Sequence, residues 1–210
     1  MAKVRKKTQK SGDVSSQVSL KNKIIDAAFF CFAESGVGTT KLTQIAAKAG
    51  VEAPHMHYYF PTFEALFTEV VNIALEDLRA YSVRNIEKGR GDPRKALDLY
   101  VKAPFEWAKE RPTYLPVWMY FYHLAACDKK FGRLNRNIRE IGRDRISLLI
   151  YKGIETGQFK KNSEFEVPEL ATLIQGLMTG HGVLAASEEG GDFDQQYRLA
   201  LKAIHSLILK

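Results

Sequence analysis

The sequence predicts an all-α protein of nine helices in two domains, and three observations support this prediction. Apolar residues recur three and four positions apart along most of the chain, as they do on one face of a helix. No run of alternating β-branched residues and no Asn-Gly hairpin signal occurs. The chain has 210 residues, 45% hydrophobic and 26% charged, which is typical of a globular protein that buries a core without disulfides.

The first element, residues 1–19, is expected to be a basic disordered arm. Residues 1–23 contain seven lysines and arginines against Asp13 alone, although the net charge of the whole chain is only +7. Such an arm before a nearly neutral body is expected to attract a polyanion. Charge alone does not distinguish nucleic acid from an anionic membrane surface, and a merely solubilising terminus is the alternative.

Three short helices are predicted after the arm. Their approximate bounds are Leu20–Glu34, Lys41–Ala49 and Glu52–Tyr58. Thr40 is expected to be the N-cap of the second helix. Gly50 is expected to end it, because a sharp turn between helices requires a positive φ angle that glycine adopts without strain.

Six longer helices are predicted behind these three. Pro61 and Thr62 open the fourth helix, and Asp92-Pro93 restarts the chain after two glycines, since aspartate caps helices well and proline suits the first helical position. The domain boundary is placed inside the fourth helix, giving domains of residues 20–66 and 67–210. The expected bounds are Phe63–Glu87, Pro93–Glu110, Tyr114–Ala126, Lys129–Gly157, Pro168–Ser187 and Asp194–Leu209.

The stretch from Leu170 to Ser187 approaches the length of a membrane span. Its polar residues and three glycines, and the glutamates that flank it, favour a buried helix instead. Cys31 and Cys127 are too few for a disulfide framework or a thiolate metal site, and no apolar stretch follows the basic N-terminus as in a signal peptide. We therefore expect a soluble, cytoplasmic protein.

Residues 40–58 have the spacing of a helix-turn-helix motif. Leu42, Ile45 and Ala46 would pack the first helix, and Gly50-Val51 would form the turn. In such motifs the second helix enters the major groove of DNA and the first crosses the backbone. Together with the basic arm, this spacing predicts a DNA-binding protein.

From Ile24 to Leu66 the chain resembles the tetracycline-repressor-like (TetR) family of bacterial regulators. The resemblance implies a DNA-binding head at residues 20–66, a ligand-binding and dimerisation body at residues 67–210, and a homodimer built from the last two helices. The matching strings are Ile25-Asp26-Ala27-Ala28, Phe32-Ala33-Glu34-Ser35-Gly36, Thr40, Ile45-Ala46, Ala49-Gly50-Val51, Tyr59-Phe60 and Glu64-Ala65-Leu66.

The resemblance also implies which residues contact DNA. Thr40 would bind a phosphate from the N-terminus of its helix, Lys41 and Lys48 would add backbone contacts, and Tyr59 lies where the family often has a phosphate-binding residue. Val51 and Met56 would face the core. The residues implied to face the groove are Ala53, Pro54, His55, His57 and Tyr58.

The head departs from the family in its charge. After Val51 the family usually has Ser, Lys or Arg, Gly and Thr, whereas this chain has Glu52-Ala53-Pro54-His55. Between residues 24 and 60 the two lysines are outnumbered by three carboxylates. We therefore expect arm residues 3–10 to supply much of the non-specific affinity for DNA, so that deletion of residues 1–12 should flatten its salt dependence.

The body is rich in aromatic residues, and the family places its inducer cavity among these helices. The resemblance makes these residues candidate ligand contacts, although an aromatic stripe is also typical of a core. An apolar or cationic ligand would suit them. The stretch from Leu115 to Arg143 also has a faint resemblance to choline-responsive repressors of the family. The candidates are Phe105, Trp107, Tyr114, Trp118, Phe121, Tyr122, His123, Met178 and His181.

A basic stretch from Lys129 to Arg145 contains seven cations and two carboxylates, interleaved with apolar residues at helical spacing. We interpret the arginines as the solvated face of an amphipathic helix. The last two helices carry small and apolar residues, which either form the dimer interface that the resemblance implies or pack within one subunit. The candidate interface residues are Leu173, Gly176, Leu177, Gly180, Leu184, Leu201, Ile204 and Ile208.

These features predict a sequence-specific transcriptional regulator, specifically a homodimeric repressor that binds a palindromic operator and is released by a small-molecule effector. The alternative is a ligand- or protein-binding helical homodimer with only non-specific affinity for DNA. An enzyme is not expected, because glycine-rich phosphate loops and the common hydrolase and zinc motifs do not occur. No cofactor and no metal is expected, since the rings of His55 and His57 would point about 200° apart on a helix.

Overall fold

A computed structural model describes the backbone of residues 5–209 and the side chains of residues 20–209. Across these residues the chain forms nine α-helices and one short 3-10 helix, Pro112–Tyr114, without a β-strand. The predicted all-α class and helix count are therefore confirmed. The helices are α1 (Arg5–Ser35), α2 (Leu42–Ala49), α3 (Ala53–Tyr59), α4 (Phe63–Lys88), α5 (Pro93–Glu110), α6 (Leu115–Cys127), α7 (Lys129–Glu155), α8 (Val167–Ser187) and α9 (Phe193–Ile208).

The first helix differs from the prediction. It begins at Arg5, well before the expected start at Leu20, so the backbone of residues 5–19 is helical where we expected a disordered arm. Residues 1–19 contain no proline and a single glycine, and lysine, arginine and glutamine are good helix formers. Positive charge therefore did not imply an irregular backbone. Residues 1–4 of the predicted arm lie outside the described residues.

The chain divides into two compact units inside α4, one ending at Ala74 and the other beginning at Leu75. The division falls in the same helix as the expected boundary at residue 66. In the first unit, the ring of Phe32 packs edge-on against Phe63 at 5.8 Å and Phe67 at 6.1 Å between centroids. Ile24 and Ile45 are completely buried in the same unit. This core holds α1 and α2 in place beneath the turn that leads into α3.

The second unit is built around a core to which α5, α7, α8 and α9 all contribute. Leu97, Ile146, Ile174 and Ile204, one from each of these helices, are completely buried there. Gly153 permits this packing on α7, because a Cβ at this position would lie 2.0 Å from the ring of Phe159.

Three aspartates fix the starts of helices in the second unit. Asp92, the expected N-cap of α5, accepts a hydrogen bond from the Lys95 amide at 3.1 Å. Asp128 and Asp192 cap α7 and α9 in the same way. Such caps satisfy amides that have no partner within the helix, so α6 and α7 meet at a defined corner.

The expectation that Leu170–Ser187 packs as a protein helix is confirmed, since Leu170, Ile174 and Ala185 of α8 are buried in the core. Across the part of the chain that the structure describes, every helix falls short of the length and apolarity needed to cross a membrane.

Candidate nucleic-acid interface and aromatic body

Gly50 makes the turn between α2 and α3. Its φ of 66° lies in the left-handed region, and its amide and that of Val51 donate to the carbonyls of Ala47 and Ala46. A Cβ at Gly50 would meet nothing within 4 Å, so the position needs glycine for its backbone conformation alone. The predicted helix-to-helix turn is therefore present, and it sets the direction in which α3 leaves α2.

The short helix α3 has one buried residue and an exposed face. Met56 is 1% exposed and anchors the helix in the core, whereas Tyr58 is 71% exposed. Pro54 lies in the first turn, where a missing amide hydrogen costs no hydrogen bond. We call the exposed side chains of this helix the recognition face: Ala53, Pro54, His55, His57 and Tyr58.

Tyr59 is half-buried beside the recognition face. Its ring packs edge-on against that of Tyr58, at 5.2 Å between centroids. Of the two residues expected to face the core, Met56 is buried and Val51 is half-buried.

Thr40 has a different position from the one expected. The N-cap of α2 is Lys41, whose amide donates to the Gln44 side chain at 2.6 Å. The Thr40 side chain is buried, and its hydroxyl donates to the carbonyl of Gly36 at 2.7 Å. The predicted N-cap role of Thr40 is therefore wrong, whereas its contact with a phosphate stays a prediction. The capping rule missed this because it does not reveal a competing acceptor in the turn that precedes the helix.

Both lysines expected to contact phosphates are exposed, Lys41 as the N-cap of α2 and Lys48 within the helix. Lys48 is oriented by α1, since its ammonium lies 3.3 Å from the centroid of the Phe30 ring. A cation held over an aromatic face is attracted by the negative charge of that face. Glu52, the N-cap of α3, is exposed and makes no capping hydrogen bond with its side chain. The recognition face thus lies beside a carboxylate, as the sequence indicated.

In the body, the structure brings a subset of the candidate ligand residues together between α6 and α8. The rings of Trp118 and Tyr122 meet edge-on at 5.0 Å, and the Trp118 ring lies 3.7 Å from where a Cβ of Gly182 would be. Tyr122 hydrogen-bonds Thr179. We call Trp118, Tyr122, Thr179 and Gly182 the α6–α8 cluster.

Burial raises the pKa of the Tyr122 phenol, while the hydrogen bond to Thr179 and the guanidinium of Arg139 act in the opposite direction. Met178, another candidate, lies one helical turn from Gly182 on α8 and packs partly against the core. Thr179, Gly182 and Arg139 were absent from our candidates. Gly182, a small residue that leaves room for the Trp118 ring, was a signal of this site, but the sequence does not show that α6 and α8 meet there.

The remaining candidates lie apart from this cluster. Phe105, Trp107 and Phe121 are each 2% exposed and belong to the packed interior. The Trp107 indole donates to Asp77 at 2.9 Å, and its ring packs edge-on against Tyr114 at 6.0 Å. Trp107 thus links α5 to α4 and to the 3-10 helix.

The two candidate histidines also separate. His123 is exposed at the end of α6, and His181 hydrogen-bonds Gln196 of α9 at 2.6 Å. A cleft of about 530 Å³ does exist in this unit, but it lies at the corner between α6 and α7 and is lined by residues such as Asp128, Arg133 and Arg136. None of the nine candidates lines it.

The predicted dimer residues divide between the surface and the core. On α8, Leu173 is 40% exposed and Leu184 is 47% exposed, and a Cβ on Gly176 or Gly180 would meet nothing within 4 Å. Leu177 is half-buried next to them. These residues share one open side of the helix.

On α9 the prediction was wrong for two residues. Ile204 and Ile208 are buried within the core of their own chain, with Leu201 packed partly against it. They cannot meet a partner subunit. The exposed apolar residue on α9 is instead Leu199, at 47% exposure, followed by Ala203 and Ser206 at helical spacing. The buried stripe of α9 has large residues such as Ile204 and Ile208, whereas the other stripe has smaller ones such as Ala203 and Ser206. This difference in residue size was visible in the sequence and could have indicated which stripe faces the core.

A short exposed helix, set by a glycine turn behind a packed supporting helix, defines a helix-turn-helix DNA-binding protein. Comparison with known proteins gives the particular family. Residues 24–70 match the model for bacterial regulatory proteins of the tetR family. Residues 24–70 are therefore a DNA-binding region of the TetR type, and the relatives below support a TetR-family transcriptional regulator.

Curated relatives carry the same assignment. The HTH-type transcriptional regulator BetI of Agrobacterium fabrum is 30% identical over 111 residues, a match that spans only 53% of each chain. BetI of Burkholderia cenocepacia is 27% identical over 186 residues, covering 88% of this chain and 90% of the relative. These relatives are transcriptional regulators and not enzymes.

Solved structures share the fold. A transcriptional regulator from Saccharomonospora viridis, solved in complex with choline, superposes with a TM-score of 0.78 at 19% identity, over 92% of this chain and 99% of the other. A TetR regulator from Haloarcula marismortui gives a TM-score of 0.77 at 18% identity, with coverages of 91% and 99%. At such identities the similarity establishes the fold alone.

Proposed function

We propose that this chain is a homodimeric, cytoplasmic repressor that binds a palindromic operator through α3 and is released by a small-molecule effector. The observation that carries the proposal is the division of labour within α3. Met56 fixes the helix in the core, so the recognition face is presented to solvent and none of its side chains is buried. An exposed helix of this kind fits the major groove.

The recognition face supports sequence readout by a restricted set of contacts. Ala53 and Pro54 offer apolar surface suited to a thymine methyl group, and His55, His57 and Tyr58 offer hydrogen-bonding groups. Lys41 and Lys48 are the cations of α2 that could neutralise phosphates. Tyr59 is proposed to add a phosphate contact at the edge of this surface.

A second copy of the chain is proposed to pack against the open sides of α8 and α9. The surface consists of Leu173, Gly176, Gly180 and Leu184 on α8, and Leu199 on α9. Small residues allow helices to approach closely, and leucines beside them would be buried by the partner. This surface replaces the predicted one in which Ile204 and Ile208 took part.

The dimer is tested with Leu184→Arg, measured by light scattering after size-exclusion chromatography. We expect a monomer that unfolds at the wild-type temperature or below it, because the dimer no longer contributes to stability. Leu148→Arg on α7 is the matched control, since Leu148 is also exposed and should leave the dimer intact. A dimeric Leu184→Arg protein would contradict the interface.

The effector is proposed to bind at the α6–α8 cluster, where two half-buried aromatic side chains of α6, Trp118 and Tyr122, lie against Thr179 and Gly182 of α8. In a repressor, an effector acts by favouring the conformation with low affinity for the operator. The composition of the α6–α8 cluster supports an effector site there, because binding sites for small molecules combine aromatic surface with a few polar groups.

The charge of the head favours a second candidate, a ligand- or protein-binding dimer with only non-specific DNA affinity. Residues 24–60 contain two lysines and three carboxylates, and Glu52 adjoins the recognition face. Selection of full-length protein on random duplex DNA at physiological salt decides between them. An enriched palindrome supports the operator model, whereas binding without enrichment that disappears at moderate salt supports the second candidate.

A further inference from the structure

The helices around the α6–α8 cluster supply positive charge and almost no negative charge. No Asp, Glu, Lys or Arg occurs in α6, and none occurs in α8 after Glu169. On α7, the segment Lys129–Arg145 carries seven cations against two carboxylates. The fixed charge that these helices offer to a ligand is therefore positive, and it comes from α7.

Arg139 is the α7 cation that the structure ties to this cluster. Its Nε donates to the Gln175 side-chain oxygen at 3.3 Å, and the Gln175 amide nitrogen donates back to the Arg139 carbonyl at 3.0 Å. Gln175 lies one turn before Thr179, whose hydroxyl contacts Tyr122. The guanidinium acts on the phenol of the half-buried Tyr122 and lowers its pKa, against the effect of burial.

Among the described residues, Arg139 has no carboxylate partner. Asp77, the carboxylate beside Trp107, already has two partners. It accepts a hydrogen bond from the Trp107 indole at 2.9 Å and forms an ion pair with Arg111 at 3.3 Å. The cluster thus combines aromatic surface with an exposed guanidinium that forms no ion pair with the described carboxylates.

From this arrangement we infer that the effector carries a negative group, a carboxylate bound by Arg139, joined to an apolar or quaternary ammonium body that lies against Trp118 and Tyr122. The inference rests on the proposed effector site. A purely cationic ligand would gain contact with the aromatic faces but would meet repulsion from α7. A zwitterion or an anion gains the charge-assisted hydrogen bonds that a guanidinium forms with carboxylates.

Three probes of one shape and different charge test this inference. Choline is a cation, trimethylglycine a zwitterion and 3,3-dimethylbutanoate an anion, and each carries three methyl groups on a quaternary centre. Binding to the full-length protein is measured by titration calorimetry. We expect the two carboxylates to bind roughly tenfold or more tightly than choline, the effect of one charged hydrogen bond.

Two variants with the same loss of charge complete the test. Arg139→Gln should lose the preference for the carboxylates, whereas Arg133→Gln, an exposed arginine at the α6–α7 corner, should keep it. If choline binds most tightly and releases the operator, the proposed effector-responsive repressor is supported, but the inference that the effector carries a carboxylate is overturned. If none of the three binds, the site assignment falls as well, while operator selection still decides DNA binding separately.

Discussion

The recognition face and the aromatic residues of the body use their side chains in opposite ways. On α3, one residue packs and the others are exposed, so contact with DNA and stability are assigned to different side chains. In the body, Phe105, Trp107 and Phe121, half of the six aromatic candidates, are nearly inaccessible and stabilise the fold. The head can therefore change its specificity without loss of stability, whereas the body can change its ligand only at the few partly exposed positions.

The largest effect should come from an aromatic residue that the body uses for packing. Phe121→Ala is expected to lower the free energy of unfolding by about 3–5 kcal/mol, because the Phe121 ring is 2% exposed and a cavity would remain. Urea unfolding followed by circular dichroism measures this change. A loss within about 0.5 kcal/mol, the range of surface substitutions, would contradict the assignment of Phe121 to the core.

A matched pair on α3 tests the separation of roles in the head. Met56→Ala should lower the free energy of unfolding by about 2–5 kcal/mol, since Met56 is 1% exposed. Tyr58→Ala should change it by less than about 0.5 kcal/mol but weaken operator binding. Chemical denaturation and fluorescence anisotropy on the selected operator measure the two effects. Equal stability losses in both variants would show that α3 has no free face.

The turn before α3 provides a smaller effect. Gly50→Ala should lower the free energy of unfolding by about 1–2 kcal/mol, the strain of an L-residue in the left-handed region. Gly50→Asn is the control and should lose less, because asparagine tolerates this conformation better. Thermal unfolding of the three proteins ranks them, and an order in which alanine is the more stable would contradict the assigned strain.

The smallest effect is a titration in the body. Burial, followed by a hydrogen bond to Glu110, raises the pKa of Tyr81 from 10.0 to about 12. The unfolded chain therefore releases this proton first, so the contribution of Tyr81 to stability is present below pH 10 and is lost as the pH rises towards 12. Tyr81→Phe should flatten that decline in alkaline unfolding curves. An identical slope in both proteins would show that Tyr81 titrates normally.

The head was predictable because its constraints are local. The left-handed turn demands a glycine at position 50, and Met56 is the residue of α3 that the spacing turns inward. The N-cap of α2 was assigned to Thr40 instead of Lys41 because the sequence did not show that the Thr40 hydroxyl donates to the carbonyl of Gly36, in the turn before α2. The extent of α1 was missed for a different reason, because the positive charge of residues 1–19 was taken as a sign of disorder.

The body was less predictable because its residues depend on which helices meet. Periodicity marked α9 as amphipathic but did not show which stripe faces the chain's own core. Ile204 and Ile208 were therefore assigned to a dimer interface although the core buries them, and Leu199 is the exposed apolar residue. The aromatic residues were found, but the sequence did not separate Trp118 and Tyr122 from the packed rings. Arg139 was recognised only as a solvated cation, because its link to Gln175 joins residues far apart in the chain.

The space around Gly50 has a consequence for handedness. Nothing lies within 4 Å of a Cβ built at this position, so a methyl group is penalised only by the chirality of the residue that carries it. A D-residue has the mirrored backbone preference and adopts a φ of 66° without strain. D-alanine introduced here by chemical ligation should therefore stabilise the head, since it restricts the unfolded chain more than glycine does. L-alanine and D-alanine at position 50 should therefore have opposite effects on stability, although neither methyl group would contact the rest of the protein.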